Sequence, residues 1–236
     1  MRELMKQQLT AIEAVARHFS AGWEKGKDST DAYLMIAGKR VAVEVAAIKN
    51  RIAGLGRLTK PRLRFDKVAL RLVRALQANL SEVVPDGEAV IVTVTAPIRL
   101  ASKTAAAVED EVRMCLARRS PGVEIKDTIH GNEVGIRHVK GLSCPAPKVI
   151  GFVHNPDSDP GILMDVTHSL LKCIGAAAAK RAPARFAGDR WLVVAVEGGL
   201  SHFEIYRQAY SHLSLSTAFQ RILMVLADGR VEMLSG

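Results

Sequence analysis

Apolar residues recur at helical spacing near the N-terminus. Leu9, Ile12, Ala16 and Phe19 form one stripe within residues 3–19, and Gly22 and Gly26 end it before the polar stretch 25–30. The period then shortens to two. Residues 31–48 read as two β runs joined by a tight turn, either at Gly38-Lys39, where glycine at the first turn position suits type II′, or at Ala37-Gly38. A glycine-containing basic stretch, 49–65, reads as a loop before a second helix from about Asp66 to Leu80. A buried strand follows at 88–98, a helix at 102–119, and two shorter strands meet around His130-Gly131-Asn132.

The same grammar continues to the C-terminus. Residues 148–155 form an apolar strand, Ile162 to Arg181 a helix, 190–199 a strand, and 221–234 a hairpin. Strands and helices alternate with no internal repeat and no low-complexity linker, so one α/β domain with a mixed sheet over residues 1–236 is expected. Its parts are a helix-plus-hairpin core at 3–49, a basic loop and helix at 49–80, and a C-terminal α/β layer at 148–236.

Composition narrows the class. At 236 residues and 48% apolar content, a packed core is expected rather than disorder. Three cysteines at long spacings, Cys115, Cys144 and Cys173, match neither a disulfide framework nor a zinc knuckle, and a reducing, cytoplasmic compartment is expected. The N-terminus reads as an amphipathic helix rather than a signal peptide, and no run approaches the roughly 18 apolar residues of a membrane span.

The net charge of +9 is unevenly placed. Between Lys49 and Arg74 stand nine basic residues against one acid, Asp66. Such a patch attracts polyanions through counterion release, and nucleic acid is the commonest intracellular polyanion. Arg51, Arg57, Lys60, Arg62, Arg64, Lys67 and Arg71 are the expected contacts. A solvated basic face is the other reading of the same run. Phe65 is the one aromatic within it, so backbone contact to a duplex fits better than stacking of single strands.

Chemistry concentrates in the hairpin. Either turn makes paired positions sum to an odd number, so Asp31 and Glu44 share a face, roughly 5 to 8 Å apart. Leu34, Ile36, Val41, Val43 and Val45 take the other, core face. Tyr33, Met35, Ala42 and Ala46 surround the two carboxylates with a largely apolar surface, an expensive setting unless something positive joins them. A hard cation such as Mg²⁺ would serve, binding one or two carboxylates and keeping waters for a phosphate. The alternative is that both are polar-out residues of a solvated sheet face.

The string from Ser29 to Lys49, in which an Asp opens one strand and an acid ends an apolar run on the next, resembles the hairpin of PD-(D/E)xK, or restriction-endonuclease-like, proteins. Glu13, at the edge of the helix stripe, matches the acidic residue these proteins often carry on the preceding helix. The later helix ending in AAAAKRAPARF and the strand RWLVVAVEGG resemble the βαβ layer common in the fold. The resemblance implies a restriction-endonuclease-like mixed central sheet flanked by helices. It also implies a nuclease acting on DNA, Mg²⁺ or Mn²⁺ held by Asp31 and Glu44, a catalytic set including Glu13, and a homodimer where both strands are cut. Two positions depart from the motif. Thr30 stands where a proline often precedes the Asp, and Ala46 stands where the lysine belongs, two residues after the acid. Migration of that lysine is known in the superfamily, and Lys49, Lys67 and Arg71 are the expected substitutes. Without one, the implied protein is a catalytically inactive member serving as a nucleic-acid-binding or protein-interaction module.

Other constellations carry less. His154 to Asp159, with Asp165, gathers metal-ligating residue types, but Asn-Pro and Asp-Pro are turn chemistry. Ser201 lacks a GxSxG elbow, Cys144 has no base beside it in sequence, and no GxGxxG or GxxxxGK[ST] follows a strand.

Overall fold

The structure is a computed structural model, and it describes residues 6–26, 30–49, 63–118, 123–142, 146–180, 186–197, 203–213, 215 and 217–236. In chain order its elements are α1 (Lys6–His18), β1 (Gly22–Lys25), β2 (Ala32–Ile36), β3 (Lys39–Lys49), α2 (Lys67–Leu80), β4 (Glu88–Thr95) and α3 (Ala101–Arg118). β5 (Glu124–Ile129), β6 (Asn132–Lys140), β7 (Val149–His154), α4 (Pro160–Ala178), β8 (Arg190–Glu197), α5 (Phe203–Ser211), β9 (Arg221–Val225) and β10 (Val231–Ser235) follow. The α/β class is as expected. Where one mixed layer was expected, the strands form two sheets, and the chain divides into two compact units. Among the described residues no helix is long and apolar enough to cross a membrane.

The first unit holds a six-stranded sheet in the order β1-β2-β3-β8-β9-β10. β1, β2 and β3 form an antiparallel meander, β8 runs parallel to β3, β9 parallel to β8, and β10 returns antiparallel. α1 covers one face. Ala11, Ile12 and Val15 pack against Val43, Val45, Trp191 and Val193, all buried. The pleat therefore sends the alternate residues of β2, β3 and β8 to the opposite face.

The second unit takes in the chain between β3 and the last turns of α4 together with Gln208–Leu215, and has its own four-stranded sheet, β5-β6-β4-β7. α2 and α3 bury Leu72, Leu76, Val108 and Val112 against β4, β6 and β7. Asp66 caps α2, its carboxylate accepting from the backbone N–H groups of Val68 and Ala69. Two sheets arise because each has its own helices to bury, and each unit closes a separate apolar core.

The β2–β3 turn is Ala37-Gly38, not Gly38-Lys39. Both residues have positive φ, 47° and 77°, which is type I′ geometry and matches the twist of the flanking strands. The β5–β6 turn at His130-Gly131 has the same form, φ 49° and 74°. The short edge strand β1 occupies residues assigned to no element in the sequence, between the helix at 3–19 and the hairpin, since four residues carry too little alternation to register.

Alanine pays for its left-handed backbone at position 37, where asparagine is tolerated. Ala37→Asn is expected to stabilise the protein by about 1 kcal/mol, read as a higher urea midpoint with an unchanged slope; an unchanged or lower midpoint contradicts the turn assignment.

Candidate functional site

The hairpin register pairs Ala32 with Val43, so the next pair outward is Asp31 and Glu44, directly opposite one another. Both lie on the sheet face turned away from α1, and both are buried, Asp31 to 7% exposure and Glu44 to 2%. The solvated-face reading of this pair therefore fails. Asp31 is fixed by the backbone, because the Val45 N–H donates to its Oδ2 at 2.9 Å.

The positive partner that burial of two carboxylates demands comes from just beyond α4. Lys180 Nζ donates to Glu44 Oε2 at 2.6 Å and to Asp31 Oδ2 at 3.0 Å, bridging the pair from 136 and 149 residues away. Arg190, the first residue of β8 and the register partner of Ala42, donates from its guanidinium to the Lys180 carbonyl at 3.3 Å. That bond holds the backbone from which the ammonium reaches in.

Protonation follows from this geometry. Burial pushes the Glu44 carboxyl above its ordinary value and outweighs the Lys180 hydrogen bond and charge, which pull it down; the Asp31 charge adds to the rise. For Lys180, burial pulls the ammonium down, but the bonds to Glu44 and Asp31 together outweigh it and leave it above its ordinary 10.5. Lys180 is thus a charged donor at neutral pH and not a base.

The other expected site residues are placed, where described, by their own elements. Glu13 is exposed on α1, beside Arg17 and Trp23, and among the described residues no third acidic, histidine or cysteine side chain joins the pair. The reason is the pleat: α1 covers the face opposite to Asp31 and Glu44. From α1 it is Gln8, buried, that reaches this strand, donating to the Val45 carbonyl at 3.2 Å. Lys49 ends β3, and its side chain lies outside the described residues. Lys67, Arg71 and Arg74 stand exposed at helical spacing on one side of α2 in the second unit, with Arg64 just before it, paired to Asp66 at 3.3 Å. Arg51, Arg57, Lys60 and Arg62 lie outside the described residues. His154 to Asp159 is the β7–α4 turn, and Asp165 pairs with Arg137 instead. Cys115 and Cys173 are free thiols, and Cys144 lies outside the described residues.

Lys180 had no sequence signature. Its lysine stands in AAAAKRAPARF, a segment singled out for its element order alone, and no spacing rule links it to residues on the hairpin.

Chemically, the site offers two hard carboxylates and one ammonium. Two carboxylates suit Mg²⁺ or Mn²⁺, which keep most of their coordination for water and substrate. No protein-family model matches the chain, and no curated protein or solved structure matches it either.

Lys180→Met leaves two buried carboxylates facing each other and is expected to destabilise by about 3 kcal/mol. Adding Glu44→Gln should recover part of that loss, and two losses that simply add would mean the pair is not coupled to Lys180. Because the Lys180 value is raised in the folded state, its contribution is complete below 10.5 and is lost as pH climbs past the folded value. The gap in urea stability between wild type and Lys180→Met should therefore hold steady from pH 7 to 10 and shrink above it.

Proposed function

We propose that this chain is a metal-dependent nuclease of the PD-(D/E)xK type acting on DNA, with Lys180 in place of the motif lysine. The observation that carries the reading is the contact of Lys180 Nζ with both Asp31 and Glu44, at 3.0 and 2.6 Å. Ala46, two residues after Glu44 on the same face, leaves that role to a cation from elsewhere in the chain. The element order supports the restriction-endonuclease-like fold: a helix, an antiparallel meander, and later a helix, α4, leading to β8, parallel to β3.

In this reading Asp31 and Glu44 would hold Mg²⁺ or Mn²⁺, which would polarise a phosphodiester and activate a water. Lys180, kept protonated by its carboxylate partners, offers its charge to the phosphoryl oxygens, where negative charge develops. Arg190 acts through Lys180, as a positioning residue. Lys67, Arg71 and Arg74 of α2, together with the basic segment 49–64, neutralise the phosphate backbone without reading bases.

One observation favours a second reading, a catalytically silent binding module. Lys180 already bonds both carboxylates of the buried pair, so the pair has a cationic partner without a metal ion.

Titration of Mn²⁺ calorimetrically into wild type, Glu44→Gln and Lys180→Met, with plasmid nicking on the same samples and circular dichroism to check folding, separates the two. The nuclease reading expects Glu44→Gln to lose binding and nicking together, while Lys180→Met keeps binding and loses nicking by about 100-fold or more. Absence of metal binding and nicking in wild type, with salt-steep DNA binding retained, leaves the binding module; absence of DNA binding too removes both.

A further inference from the structure

A second group of under-used polar atoms lies wholly within the second unit. β4 and β7 run parallel, and the residues at their carboxyl ends, Thr95 and His154, are register partners. They open on a cavity of about 420 Å³ that Glu124, Asp127 and Glu133 also line. The carboxyl ends of parallel strands are where open α/β sheets present ligand sites, and the volume suits a small molecule.

Hydrogen-bond directions set the polarity of this cavity. His154 Nδ1 lies 2.9 Å from the Asn155 carbonyl, which can only accept, so Nδ1 carries the proton. Burial holds the imidazole below its ordinary value, against the Asn155 bond and the nearby Glu133 and Asp159 charges, so the ring is neutral at pH 7 and Nε2 is a bare acceptor. The Thr95 hydroxyl, 3.3 Å from Nε2, therefore donates to it and turns its own lone pairs elsewhere. Glu133 Oε2 also accepts from that hydroxyl, at 3.5 Å, so a single proton serves two acceptors and leaves one of them short of a donor.

Glu124 adds a third. Its Oε2 accepts from Arg137 at 3.0 Å, while Oε1 is buried without a hydrogen-bond partner. An acceptor in that state calls for a donor. Among the lining residues the one cation is Lys126, whose ammonium leans to 3.5 Å from Glu124 Oε1 on a side chain 70% exposed. The chain's own ammonium thus occupies the place loosely, at the limit of a hydrogen bond.

We propose that this cavity binds a compact organic ligand bearing ammonium groups, which donates to Glu124 Oε1, Glu133 Oε2 and Thr95 Oγ1 and displaces Lys126. An ammonium group has three donors and no acceptor, the complement of these three oxygens. A phosphate or carboxylate ligand would instead face three carboxylates.

The test uses three four-carbon probes of equal length: 1,4-diaminobutane, 1,4-butanediol and succinate. Each is titrated into the full chain while the His154 ring and Thr95 methyl signals are followed by NMR. The diamine alone should shift both signals saturably. Its affinity should fall at least five-fold in Glu133→Gln, an exposed position, and rise at least two-fold in Lys126→Ala. A silent diamine, an equal response to the diol or succinate, or an affinity unchanged in either variant overturns the proposal.

Discussion

Burial of Asp31 and Glu44 opposite each other is the constraint on which the first unit turns. Each carboxylate alone would cost several kcal/mol to desolvate in the folded state. Together they add mutual repulsion. The sheet can hold them only because Lys180 reaches both, and that ammonium arrives from the far side of a long excursion of the chain. The contact thus joins the hairpin to the segment that follows α4, beside the parallel pairing of β3 with β8 that ties the same two stretches through the backbone.

The surroundings reinforce this arrangement from several directions. Val45 N–H fixes Asp31, Gln8 takes the Val45 carbonyl from the α1 side, and Arg190 holds the Lys180 carbonyl. Each of these bonds uses a backbone group next to a charged side chain, so the charges are positioned by main chain and not by one another alone. Such preorganisation is what a catalytic site needs, and it is equally what a buried ion cluster needs to be tolerated.

The second unit solves a different problem. Its sheet places acceptors at the ends of two parallel strands, where a histidine of settled tautomer and Glu133 compete for the one proton of the Thr95 hydroxyl. Its α2 carries a basic stripe opposite its apolar one. A chain of strong net positive charge therefore contains one cavity of opposite character, which composition alone would hide.

By itself the sequence determined the local elements: α1, the β2–β3 hairpin, α2 from about Asp66, the β5–β6 hairpin, and the alternation that puts Asp31 and Glu44 on one face. Periodicity and turn chemistry act within a few residues, so they can be read along the chain. It left the turn at position 37 or 38 open, because alanine at positive φ is a cost that only the strand twist decides. The tertiary structure decided the rest. It divided the strands between two sheets, put α1 and hence Glu13 on the face away from the carboxylates, and brought Lys180 to them. Those outcomes depend on which apolar surfaces bury one another across more than a hundred residues, and no local pattern records that choice.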